Sequence, residues 1–311
     1  MKRRLGRTGL EISEIALGAV EIGMKYGIVA AGDAEQPDYA SAEWLLNRAL
    51  DLGINFIDTA RTYGDSESFI GRALSARRNE FILASKVPAF QDQGSGGSIL
   101  RQRVVASVKK SLRELRTDVI DLMMIHSGTA ETIRDGAIAS TLSELRDSGW
   151  IRTIGITVYG NEAAMLAIAS AAYDCVQIAY SVLDRRPEQN VLAAAQEHDI
   201  GIISRSVLLK GAISHRIRHM PVALSGIAAA VGKLETLLGR EVESLPELAY
   251  RYVLSHPVPG TALVGTARVT ELEAAIRFAD RGPLSESMLS SIRSLPMLDP
   301  FLLDPSNWPP V

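Results

Sequence analysis

Four side chains that can hold or move a proton fall in three short segments. Asp58 and Tyr63 lie in DTARTYGDSE, Lys86 in FILASKV and His126 in VIDLMMIH. A lysine enclosed in a protein needs a negative partner, and a carboxylate on a neighbouring strand supplies one. A cationic lysine beside a phenol favours tyrosinate, so Lys86 is expected to lower the Tyr63 pKa from about 10. A phenol tuned in this way gives a proton to a developing alkoxide or takes one from an alcohol. A histidine beside it orients a carbonyl oxygen through a hydrogen bond. Each residue also has a plain structural role open to it: a buried ion pair, a packed aromatic, a satisfied core histidine. Convergence at one place is what argues for chemistry, and convergence depends on the elements that carry the four.

Short β-branched runs alternate with longer runs at helical spacing. Strands are expected over Ser13–Gly18, Asn55–Ala60, Phe81–Val87, Val119–His126, Ile151–Val158, Cys175–Tyr180, Gly201–Val207 and Ala262–Thr266. Helices are expected over Ser41–Gly53, Glu67–Ser75, Ser98–Leu115, Thr132–Ser148, Glu162–Ala172, Glu188–His198, Leu245–Ser255 and Thr270–Ala279. Strict alternation argues for an α/β fold with a parallel sheet. Eight units in this length fit a closed (β/α)8 TIM barrel, with residues 1–311 as a single domain. Met1–Leu10 reads as a short N-terminal hairpin, Glu21–Tyr39 as a long first connection and Gln91–Gly97 as a loop. Val222–Arg240 reads as an extra helical segment after strand seven. Pro296–Val311 reads as a Pro-rich, non-helical C-terminal tail. In such a barrel the functional face is the C-terminal ends of the strands. Asp58, Lys86 and His126 end strands two, three and four, and Tyr63 lies on the adjoining loop.

Bulk properties exclude several classes. The net charge of −3 gives no basic surplus for nucleic acid or an anionic membrane surface. One cysteine, Cys175, precludes an intrachain disulfide and fits a reducing compartment. The basic start is not followed by the apolar run of a signal peptide, and no apolar stretch is long enough to span a bilayer. The chain therefore reads as soluble and cytoplasmic.

The order DTARTYGDSE, ASKV, SLRELRTDVIDLMMIH closely resembles the aldo-keto reductases. The likeness begins at RRLGRTGLEISEIALG and includes LPELAYRYVLS. It implies an NAD(P)H-dependent carbonyl or alcohol oxidoreductase on a (β/α)8 barrel. By that resemblance Tyr63 is the general acid/base, Lys86 its pKa modulator, Asp58 the partner of Lys86 and His126 the carbonyl orienter. It also implies cofactor contacts. Thr157, in GITVY, and Gln177, in VQIAY, fall at the nicotinamide carboxamide. Val158 replaces an Asn of the family pattern. Ser206, Leu208 and Lys210, in ISRSVLLKG, fall at the pyrophosphate, and Arg205 takes the place of a ring-stacking Tyr. Gly265, Thr266 and Arg268, in VGTARVTELEAA, fall at the adenosine phosphate, which favours NADP(H) and leaves NAD(H) open. Glu271, Ala274 and Ala275 depart from the family pattern there. Tyr26, Phe90 and Trp308 are candidate contacts to a small carbonyl or sugar substrate.

Two other readings stand beside this one. The altered cofactor positions fit a non-catalytic NADP(H)-binding, redox-sensing subunit similar to potassium-channel β subunits. A metal-dependent hydrolase is poorly served by five histidines, at 126, 198, 215, 219 and 256, with no His-x-His pair, so no metal is expected. The direction of reaction and the oligomeric state are not readable from the sequence.

Overall fold

A computed structural model describes residues 1–28, 36–90 and 97–309. The chain opens with an antiparallel hairpin of β1 (Lys2–Arg4) and β2 (Glu11–Ser13), with Lys2 opposite Ser13. Eight parallel strands follow: β3 (Ile15–Gly18), β4 (Phe56–Asp58), β5 (Ile82–Pro88), β6 (Ile120–Gly128), β7 (Ile151–Val158), β8 (Cys175–Ala179), β9 (Gly201–Arg205) and β10 (Pro259–Gly265). Each pairs with the next, and β10 returns to pair with β3, so the sheet closes into a barrel.

Helices α1 (Val20–Gly23) and α2 (Tyr39–Asp51) follow β3, α3 (Ser66–Leu74) follows β4 and α4 (Gly97–Glu114) follows β5. Helices α5 (Ala130–Asp135) and α6 (Ala137–Asp147) follow β6, α7 (Gly160–Ala169) follows β7 and α8 (Val191–Glu197) follows β8. After β9 come α9 (Ser225–Glu235), which is the extra segment, and α10 (Leu245–Ser255). After β10 come α11 (Val269–Asp280), α12 (Glu286–Arg293) and α13 (Pro300–Leu303).

Side-chain alternation along the strands positions the site. Phe56, Ala84, Leu122, Met124, Cys175, Ile203 and Leu263 fill one buried cluster inside the barrel. Met123, Ile125, Ile156 and Val176, of opposite parity, pack outward in the cluster that the helices cover. Fully burying one such large apolar side chain contributes roughly 1.5–3 kcal/mol, so this parity is strongly enforced. Two residues past the inward core members lie Asp58, Lys86, His126, Gln177, Arg205 and Gly265. The same alternation that packs the interior aims these groups at the C-terminal mouth. The hairpin plugs the opposite end, where Leu5 and Ile12 join the interior cluster.

Several boundaries differ from the sequence reading; the helix expected over Glu188–His198, for one, is a short 3-10 turn at Arg186–Gln189 followed by α8. The helix expected over Thr132–Ser148 is two helices, broken at Gly136 (φ 69°), which caps α5 and precedes α6. That left-handed backbone cannot continue a helix, and glycine adopts it without steric cost. The segment expected as one strand over Ser13–Gly18 divides between the hairpin and the barrel. The tail is not free of helix: Asp299 accepts a hydrogen bond from Phe301 N and Pro300 occupies the first turn of α13, where a missing N–H costs nothing. The loop expected over Gln91–Gly97 lies outside the described residues apart from Gly97, as do residues 29–35 of the first connection. No helix among the described residues is long and apolar enough to cross a membrane.

Candidate active site

Lys86 on β5 is wholly enclosed, its side chain 0% exposed. Its Nζ donates to Asp58 Oδ2 at 2.6 Å and to the Thr59 carbonyl at 3.0 Å. Burial opposes the ammonium, but Asp58 and Tyr63 outweigh burial and the Lys86 pKa rises. The lysine therefore stays cationic. The other Asp58 oxygen accepts from Gln177 Nε2 at 3.0 Å, on the strand diametrically across the barrel. One carboxylate thus ties together two of the anticipated functional groups.

Tyr63 is carried by a latched loop. Its N–H donates to the Ala60 carbonyl and its own carbonyl accepts from Ser66 N, both at 3.0 Å. Ser66 Oγ reaches the Ala19 carbonyl at 2.8 Å. Buried Glu67 pairs with Arg61 and accepts from Ser85 Oγ at 2.6 Å, which fixes the loop to the strand bearing Lys86. Gly23 of α1 packs against this loop so closely that a Cβ there would stand 2.0 Å from the Tyr63 carbonyl oxygen.

Lys86 Nζ lies 4.9 Å from the centre of the Tyr63 ring. The expected lowering of the Tyr63 pKa is not the net result. Burial raises it, Lys86 pulls it down, Asp58 pushes it up again, and the balance is upward. The physical reason is that the lysine charge is already largely met by Asp58, so it returns less to tyrosinate than desolvation removes.

His126 stands edge-on to Tyr63, with ring centres 5.5 Å apart and planes at 85°. Its Nδ1 lies 3.1 Å from Thr62 Oγ1. Burial, then Lys86 and Arg205, push its pKa down to about 3, so the imidazole is neutral.

These groups open into a cavity of about 510 Å³. Its lining includes Tyr63, His126, Thr157, Gln177, Arg205, Ser206, Leu208, Lys210, Arg216, Gly265, Glu271 and Ala274. Thr157 Oγ1 accepts from Ser127 N at 2.8 Å, holding the chain turned after His126, where Ser127 has φ 56°. The Arg205 guanidinium lies 4.1 Å over the Tyr159 ring and donates to Val158 O and Ser206 Oγ, both at 3.1 Å. Lys210 donates to the Pro305 carbonyl at 3.4 Å.

Not every anticipated residue reaches the cavity. Tyr26 lines it; Phe90, stacked against Arg103, and Trp308, buried and bonded to Leu302 O, do not. Thr266 is buried, with its hydroxyl 2.6 Å from Glu271 Oε2, and Arg268 is 55% exposed outside the lining. Sequence reasoning gave no role to Glu21, Tyr159 or Arg216, all of which line the cavity. Burial raises the Glu21 pKa to about 7, with Arg216 opposing the shift and Glu271 adding to it. Tyr159 follows β7 directly and was open to the strand-end argument; Glu21 and Arg216 lie on long connections that carry no positional signal.

The Aldo/keto reductase family model matches residues 14–296, and the chain belongs to that family. It is 29% identical over 307 residues to YqkF of Bacillus subtilis, named an uncharacterized oxidoreductase, covering 94% of this chain and 95% of the relative. It is 26% identical to L-galactose dehydrogenase of Arabidopsis thaliana, covering 94% and 93%. Among solved structures, the holo form of aldo-keto reductase AKR11C1 from Bacillus halodurans aligns with a TM-score of 0.78 and 29% identity, covering 94% and 95%. The protein is an NAD(P)H-dependent oxidoreductase of this family.

Proposed function

We propose that the protein exchanges a hydride between a nicotinamide dinucleotide and the carbon of a small aldehyde, ketone, sugar or alcohol, with Tyr63 moving the accompanying proton. The observation that carries this reading is the enclosed Asp58–Lys86 pair beside Tyr63, with a neutral His126 next to it, on the wall of one cavity.

The cavity fits a dinucleotide. Its walls are largely apolar, as planar rings require, and the cations Lys210 and Arg216 line it as phosphates require. Thr157 and Gln177 would hold the carboxamide of the nicotinamide, Arg205 would face its ring, and Ser206, Leu208 and Lys210 would hold the pyrophosphate. The adenosine end would fall at Gly265, with Thr266 and Arg268 outside the lining and bound to Glu271. Bound there, the nicotinamide supplies or takes up the hydride.

The side chains do the rest. In reduction, negative charge grows on the substrate oxygen. Tyr63 protonates that oxygen, and Lys86, kept cationic by Asp58, stabilises the tyrosinate left behind. Thr62 Oγ1 engages His126 at Nδ1, which leaves Nε2 as the ring nitrogen to orient the oxygen. In oxidation Tyr63 accepts the proton, and the same groups serve. The hydroxyls of Tyr26, Thr62 and Tyr159 around this end suit a hydroxylated substrate, and the relative named as a sugar dehydrogenase supports including sugars.

The test is a panel of aldehydes, ketones and sugars assayed in both directions with each dinucleotide. Turnover of at least one compound is expected. Dinucleotide binding without turnover of any compound would overturn the reading.

A further inference from the structure

The adenosine end of the cavity carries an arrangement that bears on which dinucleotide it accepts. Glu271 lies in the first turn of α11 and lines the cavity. Its Oε1 is 3.2 Å from Arg216 Nη2 and 3.6 Å from Arg268 Nη1. Its Oε2 takes the Thr266 hydroxyl at 2.6 Å. One carboxylate therefore occupies two guanidiniums and a hydroxyl, the donor set a phosphate monoester would need. A second carboxylate, Glu21, lines the same end; its Oε1 lies 3.3 Å from where a Cβ on Gly265 would stand.

Charge decides between the two possible occupants. Glu271 lies against both Arg216 and Arg268, so much of their positive charge is already met before any ligand arrives. A phosphate monoester brings about −1.5 to −2 more charge and must also displace Glu271 from its partners. A ribose with a free 2′-hydroxyl brings none and offers a donor that a carboxylate accepts.

We propose that Glu271 is a built-in anion that fills the Arg216–Arg268–Thr266 cluster and sets the cavity for NAD(H) over NADP(H). This rests on the dinucleotide reading above and reverses the preference implied by Thr266 and Arg268 in the sequence.

Calorimetric titration of the purified protein with NADH and with NADPH tests it by binding alone. The wild type is expected to bind NADH at least about tenfold more tightly, the worth of one charge-assisted hydrogen bond. Glu271→Gln and Glu271→Ala, each checked for an unchanged circular dichroism spectrum, are expected to narrow or invert the ratio by about tenfold through a gain in NADPH affinity. Wild-type preference for NADPH, or a ratio unmoved in a folded variant, overturns the inference and leaves the dinucleotide reading standing. Binding of neither dinucleotide overturns both.

Discussion

Lys86 Nζ sits 2.6 Å from Asp58 Oδ2, with the lysine side chain shut off from solvent and the aspartate nearly so. Two charges this deep are kept by each other. Removing one leaves the other buried and uncompensated, at a cost of about 3–5 kcal/mol. Lys86→Met is therefore expected to lose stability of that order in urea unfolding. Adding Asp58→Leu to it should recover part of the loss, because the stranded carboxylate is gone. A Lys86→Met variant as stable as the wild type would show that the pair does not hold the barrel mouth together.

The loop bearing Tyr63 gives a second prediction. A methyl group on Gly23 would meet the Tyr63 carbonyl oxygen at 2.0 Å and Ser66 N at 2.5 Å. Both are backbone atoms in a latched loop, so the loop must shift as a unit. Gly23→Ala is expected to lower kcat by about a hundredfold through misplacement of the phenol, although Gly23 has no chemistry of its own. Unchanged kcat in that variant would show that the loop adjusts freely.

Glu21 gives a prediction in pH. Its folded-state pKa is raised to about 7 from an ordinary value of 4.5, so the folded protein holds the extra proton between those limits. The stability contributed by this group is full below 4.5 and is lost as pH rises through about 7. Glu21→Gln cannot ionise. Its Tm should gain on the wild type from about pH 5 to about pH 8 and show no such gain below that window. A Tm difference that does not vary with pH would contradict the burial of an ionisable Glu21 at the cavity end.

Much of the barrel was legible because its signals are local. Strand parity alone carries Asp58, Lys86, His126, Gln177 and Arg205 to one rim, and parity can be read from residues such as Phe56, Ala84 and Met124. What escaped reading depends on contacts remote in sequence. Gly136 gives a helix break only through its left-handed backbone, which the periodicity of Thr132–Ser148 hides. The net upward shift of Tyr63 depends on how completely Asp58 neutralises Lys86, a matter of distance and burial and not of spacing. The Arg61–Glu67 latch lies within the quoted DTARTYGDSE motif, yet its purpose emerges only when Ser85, from another strand, completes it. Glu271 illustrates the same limit. In sequence it stands only as a departure from the family pattern; its hold on Arg216, 55 positions earlier, shows only in the fold.

The central claim is that Tyr63 transfers the proton while Lys86 and Asp58 hold the charge behind it. The most direct measurement is single-turnover reduction of the best carbonyl substrate by Tyr63→Phe, with dinucleotide affinity measured on the same sample. Loss of the proton donor is expected to slow the step by about a hundredfold to ten-thousandfold, with dinucleotide affinity unchanged. A Tyr63→Phe protein that reduces substrate at the wild-type rate would contradict the account.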